Sequence, residues 1–312
     1  MENVMKIATT TGDFSSYLFD DADRIRELHR AGFRYIDLSM YSFKPDCAYM
    51  GENWRDAVYK IKELADELGM KFVQAHSQGG NPLSSDRAHA DFIVDATIRS
   101  IEIAEILGIK NTVVHNGFAG GLSKEEWFMK NKEFYSKLFP AMERCGVNVL
   151  CENSTASNMG DAYFINTGRD MYEFIKYVDH PMIHACWDTG HANCEGGQYD
   201  EIMALGEELY AIHYNDNHGA KDDHIAPFLG SLNHDEVMTA LIDVGFKGYF
   251  TLVCTSSLIK YDQWTGKRRR FRDDRRDRLK LREPQLFMQR HIEAMMYETS
   301  KWMLEQYGVF ED

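Results

Sequence analysis

The chain lacks the features that mark several protein classes. No stretch approaches the roughly 18 consecutive apolar residues of a membrane span. The opening residues, MENVMKIATTTGDF, hold no basic segment leading into an apolar one, so no secretory signal is expected. The six cysteines, Cys47, Cys145, Cys151, Cys186, Cys194 and Cys254, include no C-x-x-C pair and no framework spacing. In a chain of 312 residues they read as reduced thiols of a cytoplasmic protein. Positive charge is in deficit, with 35 Lys and Arg against 49 Asp and Glu and a net charge of -14, which argues against a nucleic-acid backbone as the partner. No G-x-G-x-x-G follows the first apolar run, which removes the fingerprint of an open dinucleotide-binding sheet.

What is present is a repeat of short β-rich apolar runs: KIATTT from Lys6, YIDLSM from Tyr35, KFVQAHS from Lys71, NTVVHNG from Asn111, NVLCENS from Asn148, IHACWDTGH from Ile183, YAIHYND from Tyr210 and YFTLVC from Tyr249. Helix-patterned stretches such as DADRIRELHRAG and WRDAVYKIKELADELG separate them, and several end in a glycine stop signal, as at Gly32, Gly69 and Gly108. Parallel neighbouring strands need a crossover helix, so eight such units predict a single (β/α)8 TIM barrel spanning residues 1–312. Two stretches break the repeat. Residues 159–170 read as a longer loop, and an insertion at about 256–283 precedes the last helix. Within it, KRRRFRDDRRDR (Lys267–Arg278) carries eight basic and three acidic side chains; this is a self-paired surface segment, a subunit contact or an arginine-bearing lid.

In such a barrel the reactive groups stand at the C-terminal ends of the strands. The third run ends at His76, the fourth at His115, the fifth at Glu152, the sixth at Asp188 with His191 in the following loop, and the seventh at His213 with Asp216. Burying such groups unpartnered would cost several kcal/mol each, and one divalent cation at the mouth is the economical reason to converge them. The mixed imidazole and carboxylate set suits Mn, Zn, Co or Fe, with Mg also admissible. Asp222 and His224, in DDH, belong either to the same mouth or to an ordinary acidic loop. Tyr17, Tyr41, Phe43 and Tyr214 are candidates to stack on a ring-shaped ligand, whereas Trp187 should face the helix layer.

The segments VVHNG, CENS, WDTGH, IHYND and DDHIAPFLG, in this order, resemble the xylose isomerase-like barrel superfamily of sugar isomerases, epimerases, dehydratases and AP endonucleases. The resemblance covers about Lys6 to Cys254. It implies a metal-dependent enzyme of sugar isomerase or epimerase type, with Glu152, Asp188 and His213 as metal ligands. Glu152 would also be the proton-transferring base and His191 a substrate ligand, while His76, His115 and His224 would line the substrate pocket, or His76 and His115 would hold a second metal if there is one. The superfamily's fourth metal ligand, a glutamate on the eighth strand, falls on Val253 here. Valine can neither ligate nor move a proton, which counts against two-base epimerisation; the reaction expected on a small keto-sugar, polyol or sugar conjugate is a one-base one, such as aldose–ketose isomerisation or dehydration. Two other readings stay open: a barrel that binds sugar or serves in a complex without catalysis, and an AP endonuclease-type repair enzyme. The expected partner is a small sugar or polyol, with no nucleic acid and no membrane. The methionine-rich final helix leaves a homo-oligomer open.

Overall fold

Eight strands, β1 (Met5–Thr10), β2 (Tyr35–Ser39), β3 (Lys71–His76), β4 (Asn111–Val113), β5 (Asn148–Glu152), β6 (Ile183–Asp188), β7 (Leu209–Tyr214) and β8 (Gly248–Leu252), pair in parallel in chain order and close into a barrel. Closure is made by β1 on β8, from Met5 opposite Gly248 to Thr9 opposite Leu252. The computed structural model describes residues 4–258 and 284–312, and the arginine-rich Lys267–Arg278 run lies outside them. Among the described residues the helices are α1 (Asp21–Ala31), α2 (Trp54–Glu67), α3 (Arg87–Leu107), α4 (Lys124–Ser136), α5 (Phe139–Cys145), α6 (Ala156–Met159), α7 (Gly168–Val178), α8 (Thr189–Glu195), α9 (Tyr199–Leu205), α10 (His234–Asp243) and α11 (Leu286–Gln306). None is long and apolar enough to cross a membrane.

The helix starts are written locally. Asp20 accepts from Ala22 N at 2.7 Å, and Ser123 and Glu126 form a reciprocal capping box on α4. Gly32 ends α1 at φ 108°, a backbone state that a side chain would strain. Residues 159–170 are less loop-like than the sequence predicts. Thr155 caps α6 through Ser157 N and Thr167 caps α7 through Asp170 N, which makes both ends of that stretch helical.

The barrel interior follows from strand alternation. Val113, Leu150, Cys186 and Ala211 form a small buried apolar cluster of their own. Each sits two residues before a polar strand-end group: His115, Glu152, Asp188 and His213. Since residues i and i+2 share a face, the same four strands that fill the core carry those groups up to the mouth. The larger apolar core lies between barrel and helices and includes the fully buried Trp127, Tyr135, Trp187 and Tyr214. Trp187 faces outward as predicted, its Nε1 donating to Gln198 Oε1 at 2.9 Å.

The last helix is tied to the first strand and helix. Arg290 pairs with Glu27, the Phe33 and Tyr297 rings meet edge-on at 5.2 Å, and Met5 N donates to Val309 O at 2.7 Å. Beneath α11 two carboxyl groups are buried together. Asp13 accepts from Thr9 Oγ1 at 2.9 Å, and Glu293 accepts from Gln289 Nε2 at 2.9 Å. Burial pushes the Asp13 carboxyl up to about 7, and burial together with Asp13 pushes Glu293 well above the usual range. A carboxyl whose folded pKa is raised holds its proton more tightly when folded. Its contribution is therefore complete below about pH 4 and lost as pH rises through about 7. Asp13→Asn is expected to remove roughly 2 to 4 kcal/mol of the stability lost between pH 4 and pH 8. Urea unfolding across that range, compared with the unsubstituted protein, measures the difference.

Candidate active site

Glu152 ends β5 with its side chain almost wholly buried, and three histidines surround it. His213, at the mouth end of β7, pairs through Nδ1 with Glu152 Oε1. His115 Nε2 lies 2.6 Å from Glu152 Oε2, and His76 Nε2 lies 3.7 Å from the same oxygen and 3.1 Å from His115 Nε2. Burial alone would raise the Glu152 carboxyl. The charge of His213 and the hydrogen bonds of His115, His213 and His76 outweigh it and hold the group well below the usual carboxylate range. The His115 imidazolium is disfavoured, chiefly by its burial.

A second set stands beside the first. Asp188 ends β6 and caps α8, its Oδ1 accepting from His191 N at 2.7 Å and its Oδ2 from Asn215 Nδ2 at 2.9 Å. His191 is therefore held in the first turn of a short helix, not in a loop, because the Asp188 cap starts that helix at once. Asp222 bridges His191 Nε2 at 3.2 Å and His224 Nε2 at 3.0 Å, so the DDH segment belongs to the mouth. Burial works against the charged imidazoles, but Asp188 and Asp222 raise His191 well above the ordinary histidine value, and Asp222 pushes His224 up to about 9.

The ring orientations share one rule. His76 Nδ1 donates to Ser77 O at 3.0 Å, His191 Nδ1 to Asn153 O at 2.8 Å and His224 Nδ1 to Val253 O at 2.9 Å. A carbonyl only accepts, so each Nδ1 carries its proton and each Nε2 is turned into the mouth. This is how metal-ligating histidines are commonly oriented from behind. Ligand atoms of His76, Glu152 and His213 lie within 4.8 Å of one another, as do those of Asp188, His191 and His224. Buried imidazole and carboxylate donors so arranged fit a divalent transition metal. The expected trio of Glu152, Asp188 and His213 is divided between the two sets: Glu152 and His213 are in contact, whereas both Asp188 oxygens are engaged by His191 N and Asn215.

Val253 lies one residue beyond β8, its N donating to Tyr214 O at 3.1 Å. Its side chain is half-buried, and what the position supplies to the mouth is its carbonyl, through His224. Cys254 is fully buried and packs in the outer core, as alternation predicts. Asp216 is not a site residue. Its carboxylate accepts from the backbone N–H groups of Asn217, Gly230 and Leu232 at 2.8 to 2.9 Å and so shapes the loop that carries His224. Of the candidate aromatics, Tyr214 is buried with its hydroxyl 2.5 Å from His234 Nδ1, Phe43 stacks on Tyr49 at 5.3 Å, and the Tyr17 hydroxyl donates to Leu258 O at 3.1 Å. The Tyr41 ring packs on the site histidines His76 and His115. Sequence reasoning passed over Gln74, whose Nε2 is 2.8 Å from His213 Nε2. Its position two residues before His76 places it on the same inward face, which is the signal that was available. Asn153 and Asn215, which hold Asp188 from either side, gave no comparable signal.

With Asp222→Asn the main group raising His224 loses its charge, and the His224 pKa is expected to fall from about 9 toward the ordinary histidine value. Histidine ring resonances followed by NMR titration of chelator-treated protein test this; an unchanged titration would mean that Asp222 does not face the ring.

A family model described as xylose isomerase-like TIM barrel matches residues 25–273. An uncharacterised protein, y4fM, of Sinorhizobium fredii is 36% identical over 254 residues, covering 72% of this chain and 77% of its own. Fructoselysine 3-epimerase of Shigella flexneri is 23% identical over 68% of this chain and 76% of its own. Among solved structures, a D-allulose 3-epimerase from Methylomonas sp. superposes with a TM-score of 0.71 at 17% identity, over 97% of this chain and 99% of that one. With a closed eight-stranded barrel and a family match over most of its length, the chain belongs to the xylose isomerase-like TIM-barrel family.

Proposed function

We propose that this protein is a metal-dependent enzyme of the sugar isomerase or epimerase type, acting on a small keto-sugar, polyol or sugar conjugate by proton transfer at a carbon next to a carbonyl. The observation that carries the reading is Glu152, a buried carboxylate kept ionised among His76, His115 and His213. The relatives named as sugar epimerases support the same class. Glu152 and His213 would hold the cation, with His76 the third donor within reach. Asp188, each oxygen of which accepts one hydrogen bond and keeps a further lone pair, stands with His191 and His224 in the second set that could hold a cation. Bound by Glu152 and His213, a divalent ion such as Mn supplies Lewis-acid polarisation of the substrate carbonyl.

The chain's own residues do the rest. Glu152 is ionised at neutral pH, so a carboxylate oxygen accepts the proton as the carbon–hydrogen bond breaks and its electron pair moves into an enediolate. The protonated carboxyl then returns the proton to the neighbouring carbon in isomerisation; epimerisation would need the enediolate to turn its other face to Glu152, because a proton returned to the face it left restores the substrate. His191, fixed by Asn153 and Asp188, would hold substrate oxygens, and His115 and His224 would line the pocket beside them. Position 253 contributes no second base, which favours a one-base reaction over two carboxylates working on opposite faces.

Solvent-deuterium exchange into D-allulose, D-fructose, L-ribulose and fructoselysine, read by mass spectrometry on manganese-loaded protein, tests the reading. Glu152→Gln is expected to lower exchange about 10²- to 10⁴-fold, the range of a general base, and to lose bound manganese. Metal content unchanged by that substitution, with no exchange in the unsubstituted protein, would end it. Val253→Glu adds a carboxylate at the mouth and is expected to tighten manganese roughly tenfold or more, the effect of a charge-assisted contact of about 1.5–3 kcal/mol. An unaltered dissociation constant would mean that the side chain does not face the site. The valine also favours a second reading, a barrel that binds a sugar without turning it over; saturable D-allulose binding with no exchange would establish it.

A further inference from the structure

Tyr41 follows β2 and combines two properties that rarely occur together. It is 45% exposed, yet it is held. Its ring packs edge-on against His76 at 5.2 Å and against His115 at 5.6 Å. Its carbonyl accepts from Gly79 N at 3.0 Å. The loop after β3 gives way for it: a Cβ on Gly79 would lie 2.4 Å from Tyr41 Cε2 and Cζ. Gly79 is not among the positive-φ glycines, so backbone conformation does not require a glycine there. The space for the ring does.

The hydroxyl end points to the chemistry. Among the described residues no hydrogen bond reaches the Tyr41 hydroxyl. Burial, then Glu152, then Asp222, raise its pKa, so the phenol stays a neutral donor. A surface tyrosine would not be wedged against two site histidines, and a packing tyrosine would not leave its ring half-exposed and its hydroxyl unpartnered. A tyrosine fixed against two site histidines, half-exposed and with its hydroxyl unpartnered among the described residues, is arranged to meet a ligand.

We propose that Tyr41 is a substrate-contacting, specificity-determining residue whose ring roofs His76 and His115 and whose hydroxyl donates a hydrogen bond to an oxygen of a polyhydroxylated ketose bound over Glu152. This rests on the sugar-handling reading of the site. Tyr41→Phe keeps the ring and removes the donor. Gly79→Ala keeps the tyrosine and displaces its ring. The measurements are kcat/KM for deuterium exchange into the same four sugars, and manganese affinity by competition with a chelator. Both variants are expected to lose about tenfold in kcat/KM, the effect of one lost hydrogen bond, with manganese affinity unchanged. Tyr41→Phe exchanging as fast as the unsubstituted protein would overturn the proposal and leave the function standing. A loss of manganese affinity in step with activity would also overturn it, since Tyr41 would then be supporting the histidines. An unsubstituted, metal-loaded protein that exchanges with none of the four sugars would remove the function, and the proposal with it.

Discussion

A carboxylate buried at the mouth of a β-barrel must be compensated, and Glu152 is the group around which this structure is arranged. Left alone there, its charge would cost several kcal/mol or be neutralised by a proton. Histidines on β3, on β7 and just beyond β4 reach it from separate parts of the chain, and the parallel register sets them at one height. The same alternation that buries Leu150 and Ala211 below lifts Glu152 and His213 above. Packing of the interior and assembly of the site are therefore one event. Beside them, Asp222 plays the compensating role for His191 and His224, and Asp188 does so for His191.

His76, His191 and His224 are set from behind by main-chain carbonyls of Ser77, Asn153 and Val253. This resolves how β8 serves a mouth to which it brings no acid. Carbonyl geometry is independent of the side chain at the same residue, so the valine still orients His224. The consequence is asymmetry. Donors line the mouth from β3 round to the loop after β7, while the end of β8 presents an apolar side chain. Tyr41 packs edge-on against His76 and His115 on the donor-lined side.

Much of this was legible in the chain. The eight β-rich runs, separated by glycine-stopped helical stretches, correspond to the eight strands, because a period of two and a period near four report burial directly. His76, His115, Glu152, Asp188 and His213 were recognisable because each follows an apolar run on the inward phase. Their partition was not. Asp188 turned out to cap α8, a choice made by an N–H three residues on competing with the barrel centre for the same oxygens. Asp216 looked like a strand-end ligand, and its carboxylate is instead saturated by backbone N–H groups of residues up to sixteen positions away.

The sequence by itself determined the fold, the inward phase of every strand and the chemical character of the mouth, since these depend on patterns that repeat within each strand–helix unit. Tertiary structure alone decided which donors share a centre, which ring nitrogen each histidine presents, that Asp222 joins the mouth and that Gly79 makes room for Tyr41. Apart from His76, whose ring is turned by the adjacent Ser77, those outcomes depend on contacts between residues roughly thirty to sixty positions apart, such as His213 with Glu152, His191 with Asn153 and Tyr41 with Gly79. Only closure of the barrel brings such residues within hydrogen-bonding distance.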